Sequence, residues 1–308
     1  MPLKMAIIGA GHMGRIHLEK LKTIKNVQIT GIVDIKKQLA EGVSEKNHIP
    51  FFTDYRKILP FLNGVIITTP TETHYKIAKI FLENGTHVFI EKPITSKPAE
   101  ASKLIEIANK KGLILQVGHL ERFNPVYTRA ISFIKKPLFI EARRISMFTG
   151  RSTDIDVVLD LMIHDIDLIL SLVKENIREV RAQGIPLVTD KLDVVNARIE
   201  FTGGCVAHLT ASRISTTKER TLTVFEKDRY LIIDLLNGKL TSTKKNNKGK
   251  IETTEYTAEN MDSVKLELME FVDSIRGAKN PSIIGEDGLN ALILANQIKQ
   301  YIAESKSL

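Results

Sequence analysis

Residues Lys4-Met5-Ala6-Ile7-Ile8-Gly9-Ala10-Gly11-His12-Met13-Gly14 decide the fold. An apolar strand, Lys4–Ile8, runs straight into a glycine triplet, and a helical pattern follows over Gly14–Lys25. Gly9 permits a tight turn and Gly11 lets the backbone approach a pyrophosphate. Gly14 lets the helix lie close to the sheet, while free N–H groups at the helix start face the phosphate charge. A glycine triplet of this spacing also arises by chance; at a strand-to-helix junction it has a mechanism. His12 and Met13 lie in the same loop and are expected to join the cofactor contacts.

A second strand, Gln28–Val33, ends in Asp34, twenty residues beyond Gly14. A carboxylate there accepts both ribose hydroxyls of an adenosine and repels a 2′-phosphate, which favours NAD over NADP. Lys36 and Lys37 stand near enough to pair with such a phosphate, and Asp34 also reads as a strand-end turn residue or helix cap.

The 308-residue chain is long enough for two domains of ordinary size, and 43% hydrophobic content supports full cores. No uninterrupted apolar run approaches bilayer-spanning length, and Met1-Pro2-Leu3-Lys4 leads directly into the first strand. A cytoplasmic protein with no membrane or signal segment is therefore expected. The single cysteine, Cys205, excludes an internal disulfide, suits a reducing compartment, and reads as a small buried filler after Gly203-Gly204. The net charge of +8 raises the question of nucleic acid. Its lysines are scattered, however, and the densest cluster, Lys244–Lys250, reads as a solvated hairpin tip with too few aromatics to stack bases. No nucleic-acid partner is expected; a mild pull on anionic small substrates is the functional alternative.

Early segments alternate strand and helix. Helix patterns cover Lys36–Lys46, Thr73–Asn84 and Ala99–Lys111; strands cover Gly64–Thr68, Thr86–Ile90 and Leu113–Val117. This is the pattern of an α/β Rossmann domain with a parallel sheet, here residues 1–118. A second regime, residues 119–308, opens with a helix over Asn124–Ile134 and a strand near Phe139–Ser146. A long apolar-periodic helix, Val157–Leu172, leads into alternating strands from Glu179 to Thr243. They suit an α+β domain with an open, largely antiparallel sheet. Helices over Ser263–Arg276 and Gly285–Lys306 close the chain, and the last is expected to return to the first domain.

Loops at the carboxyl ends of parallel strands line the ligand crevice. Thr68-Thr69-Pro70 and His74 are thus candidate cofactor contacts, although Thr71 as N-cap explains the same stretch. The next strand ends in Glu91-Lys92-Pro93, which would place the Lys92 ammonium where it stabilises negative charge on a substrate oxygen. In Asp160-Leu161-Met162-Ile163-His164, the acid and the imidazole are four residues apart. On an α-helix they share one face, about 6 Å apart along the axis. His164 is a proton acceptor in reach of an alcohol, and Asp160 orients it or the substrate. Metal ligation and a purely structural helix are the alternatives; no Cys or paired His supports zinc, and no metal is expected. Asp156 reads as a solvated acid, and Asp165 faces away from His164. Arg122 and Asn124, after Gly118, are candidate substrate contacts, and Asn124 before Pro125 also reads as an N-cap. Arg143 and Arg144 point to opposite faces of a strand, so at most one meets ligand; Arg144 and Arg151 are the candidates.

Together Gly9-x-Gly11-x-x-Gly14, Thr69-Pro70 with His74, Glu91-Lys92-Pro93 and Asp160-x-x-x-His164 resemble the glucose–fructose oxidoreductase/inositol dehydrogenase family, grouped with rhizopine-catabolism proteins (Gfo/Idh/MocA). The resemblance spans nearly the whole chain. It implies an NAD-dependent sugar dehydrogenase in which Lys92 and His164 flank the reacting carbon and Asp160 assists. It also implies a homodimer or homotetramer formed through the C-terminal sheet. The segments Gly118–Pro125 and Asp160–Asp167 look like those of members acting on nucleotide-linked amino sugars, such as UDP-N-acetylglucosamine oxidised at C3 on the way to lipid A. Leu161 and Met162 replace the smaller residues usual in inositol-type members. A free sugar, polyol or imine is the alternative substrate, and a dinucleotide-binding regulatory protein without turnover the alternative class.

Overall fold

The computed structural model describes every residue except Arg151, Ser152, Asp154, Asn247, Asn260, Met261, Lys306, Ser307 and Leu308. Two compact units emerge. One comprises Met1–Leu120 with Asp262–Leu289; the other comprises Glu121–Met261 with Asn290–Leu308. The span 119–308 is therefore not one continuous domain, because Asp262–Leu289 counts with the first unit.

The first unit runs β1 (Leu3–Ile8), α1 (His12–Leu21), β2 (Val27–Val33), α2 (Lys37–Asn47), β3 (Phe51–Phe52), a 3₁₀ segment (Tyr55–Phe61) and β4 (Gly64–Ile67). It continues through α3 (Thr71–Glu83), β5 (His87–Glu91), α4 (Pro98–Lys111) and β6 (Leu115–Gly118). All six strands are parallel, in the order β3-β2-β1-β4-β5-β6. The order reverses between β1 and β4, the topological switch point where α/β sheets bind ligands. Strands buried on both faces explain runs such as Gly64–Ile67, in which no residue reaches solvent.

The second unit begins with a short 3₁₀ turn (Leu120–Phe123), α5 (Pro125–Ile131) and β7 (Phe139–Ile145). A π-helical turn (Val158–Met162) then opens directly into α6 (Ile163–Leu172). Seven more strands follow: β8 (Ile177–Ile185), β9 (Val194–Phe201), β10 (Val206–Ser212), β11 (Glu219–Phe225), β12 (Arg229–Asp234), β13 (Lys239–Lys245) and β14 (Ile251–Thr257). The eight-stranded sheet has the order β14-β13-β12-β11-β7-β10-β9-β8 and is antiparallel except for the β7–β10 pair. The alternation of β9, with Val195, Ala197, Ile199 and Phe201 inward, buries one face against α6.

Helix α7 (Ser263–Ile275) returns to the first unit, where Leu268, Phe271 and Val272 share a core with Met5, Ile7 and Phe89. The final helix, α8 (Gly285–Ser305), contributes its start to the first unit. Its remainder, with Leu294, Ala295 and Ile298, joins the core of the second. It is thus chiefly α7 that rejoins the nucleotide fold. No helix among the described residues is long and apolar enough to cross a membrane.

Candidate active site

Within the first unit a cleft of about 570 Å³ opens at the carboxyl ends of β1, β2 and β4. Gly9, Gly11, Asp34, Thr68, Thr69 and Pro70 line it. Gly9 holds φ at +109°, and a Cβ there would strike Thr68; a Cβ on Gly14 would run into the Gly9 carbonyl. Above Gly11 the space is open for at least 4 Å. Gly11 is the N-cap of α1, its helix start has no side-chain cap and no acid in the first turn, and exposed His12 and half-buried Met13 begin the helix. Uncapped amides under open space fit an anionic pyrophosphate.

Asp34 completes this arrangement. Its Oδ2 accepts the Ala10 amide at 2.8 Å and its Oδ1 accepts the Lys36 amide at 2.9 Å. Each oxygen keeps a lone pair for a ribose hydroxyl. The Lys36 side chain is exposed. Ile35, 87% exposed, and Tyr55 and Arg56 also line the cleft, and sequence reasoning passed over all three. An exposed isoleucine directly after Asp34 was the available signal. The 3₁₀ turn carrying Tyr55 is too short for periodicity to reveal, although Asp54 caps it by accepting the Arg56 amide.

Helix α3 starts at Thr71 with Pro70 as its N-cap, so Thr71 is not the capping residue. The Thr68 hydroxyl donates to the Ile8 and Gly9 carbonyls, and the Thr73 hydroxyl donates to Thr69 Oγ1. His74 is buried, with Nδ1 2.9 Å from the Pro93 carbonyl and Nε2 2.8 Å from the Thr69 carbonyl. It ties two loops together and is not a surface contact for cofactor. Burial pulls its pKa down despite those carbonyls. Glu91, also buried, lies 2.7 Å from His17 Nε2 on α1 and accepts the Lys92 amide at 3.3 Å. Burial alone would raise the Glu91 carboxyl; the bond and attraction from His17, together with the Lys92 ammonium, hold it below its ordinary value. Glu91 is therefore a buried support of the loop rather than a cofactor-facing group. Lys92 itself is half-buried.

In the second unit the Asp160–His164 stretch is not uniformly α-helical. The Ile163 amide reaches back to the Val158 carbonyl, five residues away, so a π-turn carries Asp160 and regular α6 begins at Ile163. The even i, i+4 stacking expected of an α-helix gives way to a wider turn, an irregularity frequent at functional sites. Asp156 is buried, not solvated: it accepts the Val158 and Leu159 amides at 3.1 Å and pairs with Lys299 at 2.7 Å. His164 is largely buried.

The cationic candidates divide. Arg144 is buried, with three hydrogen bonds of 2.8–3.2 Å to Asp165 and one of 2.8 Å to Glu121. It braces the sheet against α6, its guanidinium committed to these two carboxylates. Burial pushes the Asp165 carboxyl up against the pull of Arg144, whereas Arg144 and Arg220 hold the equally buried Glu121 down. Arg143 points outward to Glu219 at 3.0 Å, as strand alternation requires. Asn124 caps α5 through the Val126 amide and donates to the Leu235 carbonyl at 3.0 Å from a buried position, so it is structural. Arg122, partly exposed, forks onto Asp167 at 2.6 and 2.8 Å. Arg151 lies outside the described residues. Among the described residues no cluster of three His, Cys, Asp or Glu side chains has metal-binding geometry.

An anion-ready helix start at a switch point, with an acid closing the second strand, defines a dinucleotide-binding fold. Residues 3–119 match the oxidoreductase family with an NAD-binding Rossmann fold, and residues 141–231 match the GFO/IDH/MocA C-terminal domain. The chain belongs to the Gfo/Idh/MocA oxidoreductase family, and its cofactor is NAD. It is 38% identical over 240 residues to UDP-N-acetylglucosamine 3-dehydrogenase of Acidithiobacillus ferrooxidans, covering 77% of this chain and 76% of that one. A solved structure of that enzyme superposes with a TM-score of 0.92 at 33% identity, covering 98% of both chains. Myo-inositol 2-dehydrogenase of Thermotoga maritima is 24% identical over 99% of this chain and 98% of its own.

Proposed function

We propose that the protein oxidises a ring hydroxyl of a nucleotide-linked amino sugar to the ketone, with UDP-N-acetylglucosamine at C3 as the reading best supported. The likeness to the Acidithiobacillus enzyme carries it: agreement in fold over 98% of both chains together with 38% identity over 240 residues. The more distant inositol dehydrogenase likeness supports the reaction type without supporting the substrate.

The chemistry that bound NAD⁺ would supply is a hydride acceptor for the sugar carbon. Gly9 and Gly11 with the start of α1, which Gly14 lets pack close to the sheet, would hold its pyrophosphate, and Asp34 its adenosine ribose. His164 accepts the hydroxyl proton as general base, and Asp160 orients the imidazole or a neighbouring hydroxyl. Lys92 stabilises the developing alkoxide by a charge-assisted hydrogen bond. Among the described residues, Arg122 is a further candidate contact for an anionic substrate. A 3-keto sugar is the substrate type an aminotransferase takes, so the product proposed here suits a transamination as the following step. We further propose a homo-oligomer through the outward face of the eight-stranded sheet. There Phe139, His208, Phe225 and Tyr230 form a half-buried aromatic row with centroids 4.8–5.4 Å apart.

The test is formation of reduced nicotinamide cofactor by the purified protein with UDP-N-acetylglucosamine, UDP-glucose, free N-acetylglucosamine and myo-inositol, each with NAD⁺ and NADP⁺. Turnover confined to the UDP-amino sugar supports the proposal. Preference for the free polyol transfers the protein to the inositol-type branch, and binding of NAD⁺ without turnover of any sugar favours a regulatory role.

A further inference from the structure

We propose that His17 is a positioning residue for Lys92, acting through Glu91; the inference rests on the reading of Lys92 given above. His17 sits on the second turn of α1 and is fully buried, its Nε2 2.7 Å from Glu91 Oε1. Its ring stands edge-on to Phe89 at 5.3 Å, and Phe89 in turn meets Phe271 at 5.8 Å, so the imidazole is wedged in one orientation. The other Glu91 oxygen accepts the Lys92 amide at 3.3 Å. Across the sheet, Gly118 opposes Glu91, and a Cβ there would come within 3.1 Å of that same oxygen. The carboxylate is thus held at both oxygens, in space that Gly118 leaves open, and it sets the direction in which the chain leaves β5 at Lys92.

The fold does not require this pair for its stability. Replacing a buried charged pair by apolar groups of similar size is often neutral or favourable. His17 Nδ1 is moreover buried without a hydrogen-bond partner among the described residues. What the pair supplies is registration. Helix α1 begins at the uncapped Gly11 amides that face the anion cleft, and its second turn holds Glu91. One ten-residue helix therefore indexes both the pyrophosphate position and the departure of Lys92 from the sheet. A displacement of about 1 Å at a reacting group reduces turnover by about 100-fold.

The experiment uses the full chain with NAD⁺ and UDP-N-acetylglucosamine, and compares His17→Leu, His17→Gln and Glu91→Gln with the native protein. For His17→Leu, kcat falls about 10- to 100-fold, while sugar KM and NADH dissociation stay within about threefold. Amide exchange over residues 91–96 accelerates at the same time. Gln offers an amide nitrogen near the imidazole Nε2 position, so His17→Gln restores kcat to within about threefold and slows the exchange again. Native kcat and native exchange in His17→Leu overturn the inference, as does a loss of kcat that leaves exchange unchanged and is not rescued by Gln. If His17→Leu fails to fold, Glu91→Gln, which keeps the shape and removes the charge, carries the same expectation. If the native protein leaves the sugar untouched, the substrate reading falls, and exchange over 91–96 in the NADH-bound protein still decides the role of His17.

Discussion

Arg144 grips Asp165, the residue beside His164, through both Nε and one terminal nitrogen, and reaches Glu121 with the other. Removing the cation strands two buried carboxylates. Arg144→Met is expected to lower unfolding free energy by about 3–5 kcal/mol, measured by denaturant titration. Arg144→Lys loses the fork and recovers only part of this. Stability within error of the native protein in both variants would show the network to be dispensable.

Lys92→Ala and His164→Ala should each reduce kcat by about 10²–10⁴-fold and leave the NADH dissociation constant within about threefold. Fluorescence titration with NADH and steady-state rates with the nucleotide sugar separate the two effects. Near-native turnover in both variants excludes the assigned roles.

Asp34→Ala removes the acceptor of the Ala10 amide as well as the ribose contact. NADH affinity should fall about tenfold or more, with a smaller loss for NADPH because repulsion of the 2′-phosphate disappears. Equal losses for the two cofactors would mean that Asp34 supports the loop without discriminating between them.

Asp193 is buried and accepts the Leu187, Val188 and Thr189 amides at 2.7–2.9 Å. Burial opposes its ionisation, yet those amides and the Thr189 hydroxyl hold the carboxyl down to about 2, from an ordinary 3.8. Because the folded value lies below the unfolded one, its stabilisation is complete above the unfolded pKa and disappears as pH falls toward the folded one. It amounts to about 2 kcal/mol. Urea melts at pH values bracketing this window should show a steeper acid loss for the native protein than for Asp193→Asn.

Cys205 is buried, and burial with the nearby Glu175 charge pushes its thiol up to about 11, from 9. At neutral pH a disulfide reagent should react about 100-fold more slowly with the folded chain than with the unfolded one. Rapid labelling of the folded protein would show that the thiol is accessible.

The nucleotide fold was legible because its parallel strands are continuous apolar runs and its glycines sit where backbone sterics demand them. Phe51–Phe52 and the Tyr55 turn were not, since two residues and a single 3₁₀ segment carry no period. Strand β14 escaped notice for another reason: all seven of its residues are exposed, and only its ladder with β13 makes it a strand. Alternation along β7 separated Arg143 from Arg144, yet it did not show that the inward arginine meets acids from two distant segments. A burial pattern reports which side of a strand is dry and leaves the partner unnamed. Similarly, the helical pattern over Ser263–Arg276 gave no partner, and only the tertiary fold shows that α7 shares a core with Met5 and Phe89.

The π-turn at Val158–Met162 makes chain length itself a determinant of the second unit's chemistry. A wide turn is equivalent to one residue added to an otherwise regular helix, and each residue turns an α-helix by about 100°. Deleting one residue from this turn would let the helix close to ordinary pitch and swing Asp160 around the axis relative to His164, without altering the identity of either. Homologues of unequal length here would then differ in which side chain faces the histidine, even where the aligned letters agree.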